Sequence, residues 1–234
     1  MQAPLLHSAT YCCINCNKNV ENMIAATFQF PHVLILLSSF IIIGAAAVIF
    51  FYLSLKRLKY YRFSNSRITL LNPIPITFAS LTLGLGVGGF IDGIVFHQIL
   101  QWHGMLSNKL PINTIDAKSV NMFWDGVFHA FTLLIVVVGL IAFWKASRRS
   151  YAEKSGNLLA GGMLCGWAIF NLVEGVLNHH IFRLHNVREN VAYNHYYNYA
   201  FLLLSIAILV AGTIILSRYY KNFFKIIKSL LYGI

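Results

Sequence analysis

The sequence predicts an all-α, polytopic membrane protein with five transmembrane helices. Its core is expected to be a four-helix bundle of two parallel helical-hairpin repeats, spans two–three and four–five, plus one N-terminal helix. Three observations carry this reading: the composition, five long apolar runs, and an internal repeat. Of 234 residues, 58% are hydrophobic and 11% charged, with a mean hydropathy of +0.65. A soluble domain carries about 25% charged residues, so the composition argues against a water-soluble globule, a disordered chain and a small disulfide scaffold. The net charge of +11 comes from 18 Lys and Arg against 7 Asp and Glu.

Residues 1–31 read as an extracytoplasmic tail. No secretory signal is expected, because the first apolar run starts late and its basic flank follows it. The tail holds Cys12, Cys13 and Cys16; a lone C-x-x-C is weak evidence for metal or redox chemistry. Met23 is a second candidate start. Residues 32–67 are read as the first helix and its basic loop, 68–218 as the bundle, and 219–234 as a basic tail. A span needs about 20 apolar residues, and five stretches supply them: about 32–55, 75–102, 120–144, 157–182 and 196–217. The second opens at Pro73 and Pro75. Its glycines, Gly84, Gly86, Gly88 and Gly89, read as close helix packing rather than a nucleotide loop. Cys165, within the fourth, reads as packing.

Thirteen of the 18 basic residues lie in 56–67, 145–154 and the tail from Arg218; Lys18, Lys109, Lys118, Arg183 and Arg188 lie on the other side. The positive-inside rule then predicts an extracytoplasmic N-terminus and a cytoplasmic C-terminus. These bases are spread over three flanks with no DNA-binding motif, so the expected partner is the lipid bilayer and no nucleic acid. Homo-oligomerisation is left open.

Residues 92–103, DGIVFHQILQWH, align with 174–185, EGVLNHHIFRLH, at a constant offset of 82. Asp92 meets Glu174, Gly93 meets Gly175, His97 meets His179 and His103 meets His185; upstream, Gly84 meets Gly166. The repeated hairpins would be related by an axis along the membrane normal.

Ionisable groups inside a span are costly and commonly functional. Asp92, Asp125 and Glu174 sit in apolar sequence, and seven of nine histidines fall at one end of spans two to five or just beyond. Asp125 and His129, four apart, share a helix face. Asp92 and His103 share a face too, but about 16 Å apart on a straight helix; Glu174 and His185 repeat that relation. His97 and His179 point roughly 140° from their acids. Asn171 and Asn178 flank Glu174. Imidazole and carboxylate without thiol suit copper, zinc or iron. The expected ligands are His97, His129 and His179, with Asp125 as ligand or orienting group and His103 and His185 at the mouth. Asp92 and Glu174 stand behind them or act as general base, with Asn171, Gln98 and His180 in supporting positions. His32 and His195 read as interfacial. Neither Glu-x-x-His nor His-Glu-x-x-His occurs.

At GGFIDGIVFHQILQWH, NMFWDGVFHAF and NLVEGVLNHHIFRLHNVRE the chain resembles the bacterial multi-pass membrane proteins of domain of unknown function 2243, over about residues 75–217. Asp92, His97, Gln98, Gln101, His103, Asp125, His129, Glu174, His179, His180, His185 and Arg188 match that family's pattern. Where the family commonly has histidines, this chain has Gly104 and Asn186; where it commonly has aspartates, this chain has Asn178 and Asn198. By the repeat, Asn198 would be the counterpart of Asp125. The resemblance implies a multi-pass protein of a bacterial inner membrane and carries no activity. Three functions stay open at this point: a metal-dependent redox or hydrolytic enzyme, a non-catalytic metal or proton transporter or respiratory-complex assembly factor, and a haem-binding electron carrier.

Overall fold

The computed structural model describes residues 17–56 and 71–232. Cys12, Cys13, Cys16 and the bases between 57 and 67 lie outside the described residues. Among these residues six α-helices run in order: α1 Lys18–Thr27, α2 Pro31–Leu55, α3 Ile74–Asp92, α4 Ile115–Ser147, α5 Gly156–Glu174 and α6 Asn194–Tyr232. No strand occurs among the described residues; Asn72 and Ala152 form an isolated parallel bridge. Helices α3 and α5 each continue directly into a seven-residue π-helical segment, Gly93–Ile99 and Gly175–Ile181. Among the described residues, five helical stretches are long and apolar enough to cross a membrane: Pro31–Leu55, Ile74–Ile99, Ile115–Ser147, Gly156–Ile181 and Asn194–Ser229.

Local chemistry sets the ends. Pro31 opens α2, where its fixed φ suits the first turn and its missing N–H costs nothing. Helix α4 starts at Ile115, earlier than the apolar run at 120, because the Thr114 side chain accepts from the Ala117 N–H. Helix α6 runs on past the expected span, so Arg218, Lys221, Lys225 and Lys228 are helical. The N-terminal stretch contains α1, which hydrophobic-run counting did not reveal. Asn17 caps it by accepting from the Asn19 N–H. At its far end the Thr27 hydroxyl accepts from Trp124 Nε1 at 3.2 Å, docking α1 on α4.

Helices α3 and α5 pack on each other at the centre, with α4 beside α3 and α6 beside α5. Helix α2 lies against α3 and α4. Its Leu36, Phe40 and Ile43 join Trp124 and Phe128 in the largest apolar cluster, so the first span is part of the packed core. Glycine sets the α3–α5 approach. A Cβ on Gly84 would collide with the Met163 carbonyl oxygen, and one on Gly166 with that of Leu81. Each of these four positions is 82 from its counterpart. Apolar side chains of α2, α4 and α6, among them Leu34, Ile41, Leu134, Val137, Leu203 and Val210, are exposed. In water that would be an aggregating surface; against lipid tails it costs nothing.

At one end of the molecule the 148–155 turn fastens two helices. Arg149 donates to the carbonyls of Ser54 and Leu55, at 3.2 and 2.7 Å, and so satisfies the free C-terminus of α2. The opposite end carries the 100–114 and 182–193 connections and nearly all the buried polar residues that follow.

Candidate metal centre

The two π-helical segments reshape the expected helix face. In an α-helix, residues five apart diverge; in a π-turn, with its i to i+5 bonding, they come back together. His97 and His179, five residues beyond Asp92 and Glu174, therefore return over their acids. His97 Nε2 lies 3.5 Å from Asp92 Oδ2, and His179 Nε2 lies 3.0 Å from Glu174 Oε1. The expected angle of roughly 140° between these pairs, taken from a 3.6-residue wheel, is corrected by this change of helix type.

The second correction concerns His103 and His185. Both helices stop after Ile99 and Ile181, and the chain reverses at Gln101 and Arg183, whose φ values are +48° and +50°. The reversal folds the later histidines back onto the earlier ones. His103 Nε2 lies 3.0 Å from His97 Nε2, and His185 Nε2 lies 2.9 Å from Glu174 Oε1. The expected separation of about 16 Å assumed a straight helix, and the mouth position assigned to these residues fails with it. Both are buried.

Four imidazoles thus form one buried cluster. The His103 and His185 rings stack with centroids 4.6 Å apart, His97 meets His103 at 4.3 Å, and His179 meets His185 at 4.9 Å. Two sets of ligand atoms converge within 4.8 Å: His97, His103 and His185, and Glu174, His179 and His185.

Hydrogen bonding assigns the ring protons. A carbonyl oxygen only accepts, so a ring nitrogen bonded to one must carry hydrogen. His103 Nδ1 donates to the Val187 carbonyl at 2.8 Å, and His185 Nδ1 donates to the Met105 carbonyl at 3.0 Å. Each histidine holds the carbonyl two residues beyond its counterpart. His97 Nδ1 donates to Asp125 Oδ1 at 2.8 Å. In their neutral forms all three rings then present a bare Nε2 lone pair to the cluster. Burial pushes the His103 imidazole well below its usual pKa, and neighbouring His97 and His179 push the same way. Burial, then His103, His179 and His97, do the same to His185. Neutral imidazole is the ligating form.

Asp125 therefore orients a histidine; its Oδ1 also accepts from the Met105 N–H at 2.9 Å. Asn198 accepts from the Val187 N–H at the same distance. It has no carboxylate to offer His179, whose Nδ1 is buried without a hydrogen-bond partner. His129 does not join either ligand set. Its Nδ1 donates to the Asp125 carbonyl at 2.7 Å, and its ring stands against Gly93, where a Cβ would come within 2.6 Å of Nε2. Asn171 is buried beside the cluster's helix with Oδ1 unpaired. Gln98 is exposed, and His180 donates from Nδ1 to the Gly175 carbonyl.

Residues not singled out in the sequence fix the 104–110 turn. Asn121 accepts from the Leu106 N–H and donates to the Leu110 carbonyl. Ser107 donates to Glu189 Oε1 at 2.7 Å and accepts from the Gly104 N–H. Burial raises the Glu189 carboxyl above its usual range despite those bonds. Asn121 lies four residues before Asp125 on the same helix face, the signal that would have found it. Glu189 follows Arg188, which lies over both Trp102 and Tyr197.

Buried polar atoms without partners are rare in folded proteins and each costs about 1–3 kcal/mol. Among the described residues they include Glu174 Oε2, His179 Nδ1, Asn171 Oδ1, Asn178 Oδ1 and His129 Nε2. The orphaned Glu174 carboxylate oxygen, beside converging ring nitrogens, fits a bound cation.

A family model described as "Predicted membrane protein (DUF2243)" matches residues 79–219. No curated protein and no solved structure matches the chain.

Proposed function

The chain belongs to the DUF2243 family of predicted membrane proteins, and from that premise we propose that it carries a transition-metal site at the histidine-bearing end of its helices. His97, His103, His179 and His185 would hold the ion through nitrogen, with Glu174 supplying an oxygen. Asp125 and the Val187 and Met105 carbonyls orient three of the rings from behind, a device that fixes the tautomer and strengthens the ligand. One observation carries the reading: three imidazoles have their Nδ1 hydrogens pinned, leaving Nε2 lone pairs directed at one another and at Glu174, with His97 and His103 Nε2 only 3.0 Å apart. Such an array repels itself unless a proton or a metal ion lies within it, and the convergence of three ligand atoms in each of two sets favours the metal. The nitrogen-rich set with no thiol suits copper, zinc or iron. The bound ion would supply redox or water-activating chemistry. Metal analysis of purified full-length protein tests this: metal at about one ion per chain, with thermal stability lost in chelator, is expected. Trace metal only, with unchanged stability, contradicts it.

The second expected function, ion or proton transport, gains little support. Below the cluster, the α3–α5 interface is closed by backbone contacts at Gly84 and Gly166. A haem has no slot where four imidazole rings already touch.

The same proposal includes the architecture and orientation. Spans two–three and four–five would be copies of one hairpin about an axis along the membrane normal. The constant offset of 82 between the π-segments, the left-handed residues Gln101 and Arg183, and the paired glycines supports this. The excess of Lys and Arg in 56–67, 145–154 and the tail supports a cytoplasmic C-terminus and an extracytoplasmic metal site. Reporter fusions after residues 112 and 152 should fall on opposite sides of the inner membrane; the same side for both would overturn the topology.

A further inference from the structure

We propose that the cavity beside His179 is an anion-binding subsite, taking a carboxylate or phosphate oxygen. This goes beyond the metal reading and rests on it in one respect: with Nε2 given to the ion, His179 Nδ1 carries the ring hydrogen.

Each half of the histidine cluster has a cavity at its side. That of the first half, lined by His97, Gln101, His103, Lys118 and Asp125 among others, holds about 60 Å³. That of the second, lined by His179, His180, Arg183, Asn186, Asn194 and Asn198 among others, holds about 360 Å³. The first half carries its own anion: Asp125 accepts the Nδ1 hydrogen of His97. In the second half Asn198 replaces that carboxylate, and its side chain is committed to the Val187 N–H and to Asn186 Oδ1. His179 is left 4% exposed, with Nδ1 unpartnered. An outside anion would supply to His179 what Asp125 supplies to His97.

The cavity's electrostatics suit that occupant. No carboxylate residue lines it, while the exposed, cationic Arg183 does. In the first half Lys118 is already engaged with Gln101 Oε1 at 3.2 Å. The N-terminus of α6 also opens here at Asn194, with no acidic residue in its first turn. A 39-residue helix directs partial positive charge at that point. A buried donor without an acceptor, a guanidinium and a bare helix N-terminus all call for negatively charged oxygen.

Free small anions and the phosphate of an anionic lipid share this chemistry. Full-length protein in detergent is titrated calorimetrically with acetate and with inorganic phosphate, and metal content and melting temperature are recorded for each sample. Saturable binding of at least one probe is expected, weakened about tenfold or more in Arg183→Gln and unchanged in Lys118→Gln. Asn198→Asp, which installs an internal carboxylate, should block it. In nanodiscs, phosphatidylglycerol but not phosphatidylcholine should suppress the titration if lipid phosphate is the occupant; equal binding in both identifies the free anion. The proposal is overturned if neither probe binds and the two lipids behave alike, or if Arg183→Gln binds as well as the parent. Anion binding that fails in metal-loaded protein overturns this proposal and leaves the metal reading standing; protein that takes up no metal overturns the metal reading and this proposal with it.

Discussion

The half of the cluster built by α3 and α4 is closed on itself, whereas the half built by α5 and α6 is left open. Both share a backbone plan: a π-segment, a left-handed reversal, and a returning histidine that bonds the other half's carbonyl. The difference lies in the side chains behind the rings. Asp125 pins His97 in the first half; Asn198 braces the Val187 turn and leaves His179 unpinned. Side-chain exchange on a common frame thus separates a pinned imidazole from an unpinned one, and the unpinned one adjoins the larger cavity.

Removing a ligand from either half should have the largest effect. His97→Ala and His185→Ala are expected to empty the site, lowering metal affinity by well over 100-fold, beyond the roughly 10–100-fold typical of an orienting partner; metal content after dialysis measures it. Asp125→Asn should cost about 10–100-fold in affinity, whereas Asn198→Ala should lower the melting temperature with metal affinity nearly unchanged. Equal losses of metal in the two would erase the distinction between the halves. Gly84→Ala and Gly166→Ala probe what the halves have in common. Each should destabilise by roughly 1–3 kcal/mol through overpacking, by similar amounts, in thermal melts; a large inequality would break the symmetry of the α3–α5 contact.

The smallest effect concerns Glu189. Burial raises its carboxyl pKa in the folded protein, so the folded state holds the proton more tightly than the unfolded one. The resulting stability is complete below the unfolded value near 4.5 and is lost as pH rises through the folded value. Glu189→Gln keeps an acceptor for Ser107 and should raise the melting temperature by a degree or two near pH 7.5, roughly the scale of a small surface change. That gain should vanish near pH 4; a loss at neutral pH would contradict it.

Much of this is legible in the sequence. Apolar runs of span length mark all five described helical stretches long enough to cross a membrane, and Asp92, Asp125 and Glu174 stand out because acids are scarce. The offset of 82 between histidine motifs aligns the two halves. Other features leave no periodic trace. The π-segments have ordinary α-helical sequences, so a 3.6-residue wheel misdirects His97 and His179. The reversals use Gln101 and Arg183 at positive φ, where a glycine would have been the usual signal, so the return of His103 and His185 could not be read. The spacing of four puts His129 one turn from Asp125, but its ring bonds the Asp125 backbone carbonyl and joins neither ligand set. Arg149 read as one topology signal among many; its capping of α2 depends on contacts between residues over 90 apart.

X-ray absorption at the metal edge of the purified full-length protein tests the central claim most directly. The account predicts a nitrogen- and oxygen-dominated coordination shell with the multiple scattering of several imidazoles, diminished in His97→Ala and His185→Ala and unchanged in His129→Ala. A sulfur-dominated shell, an imidazole signal insensitive to His97 and His185, or no edge above background would contradict it.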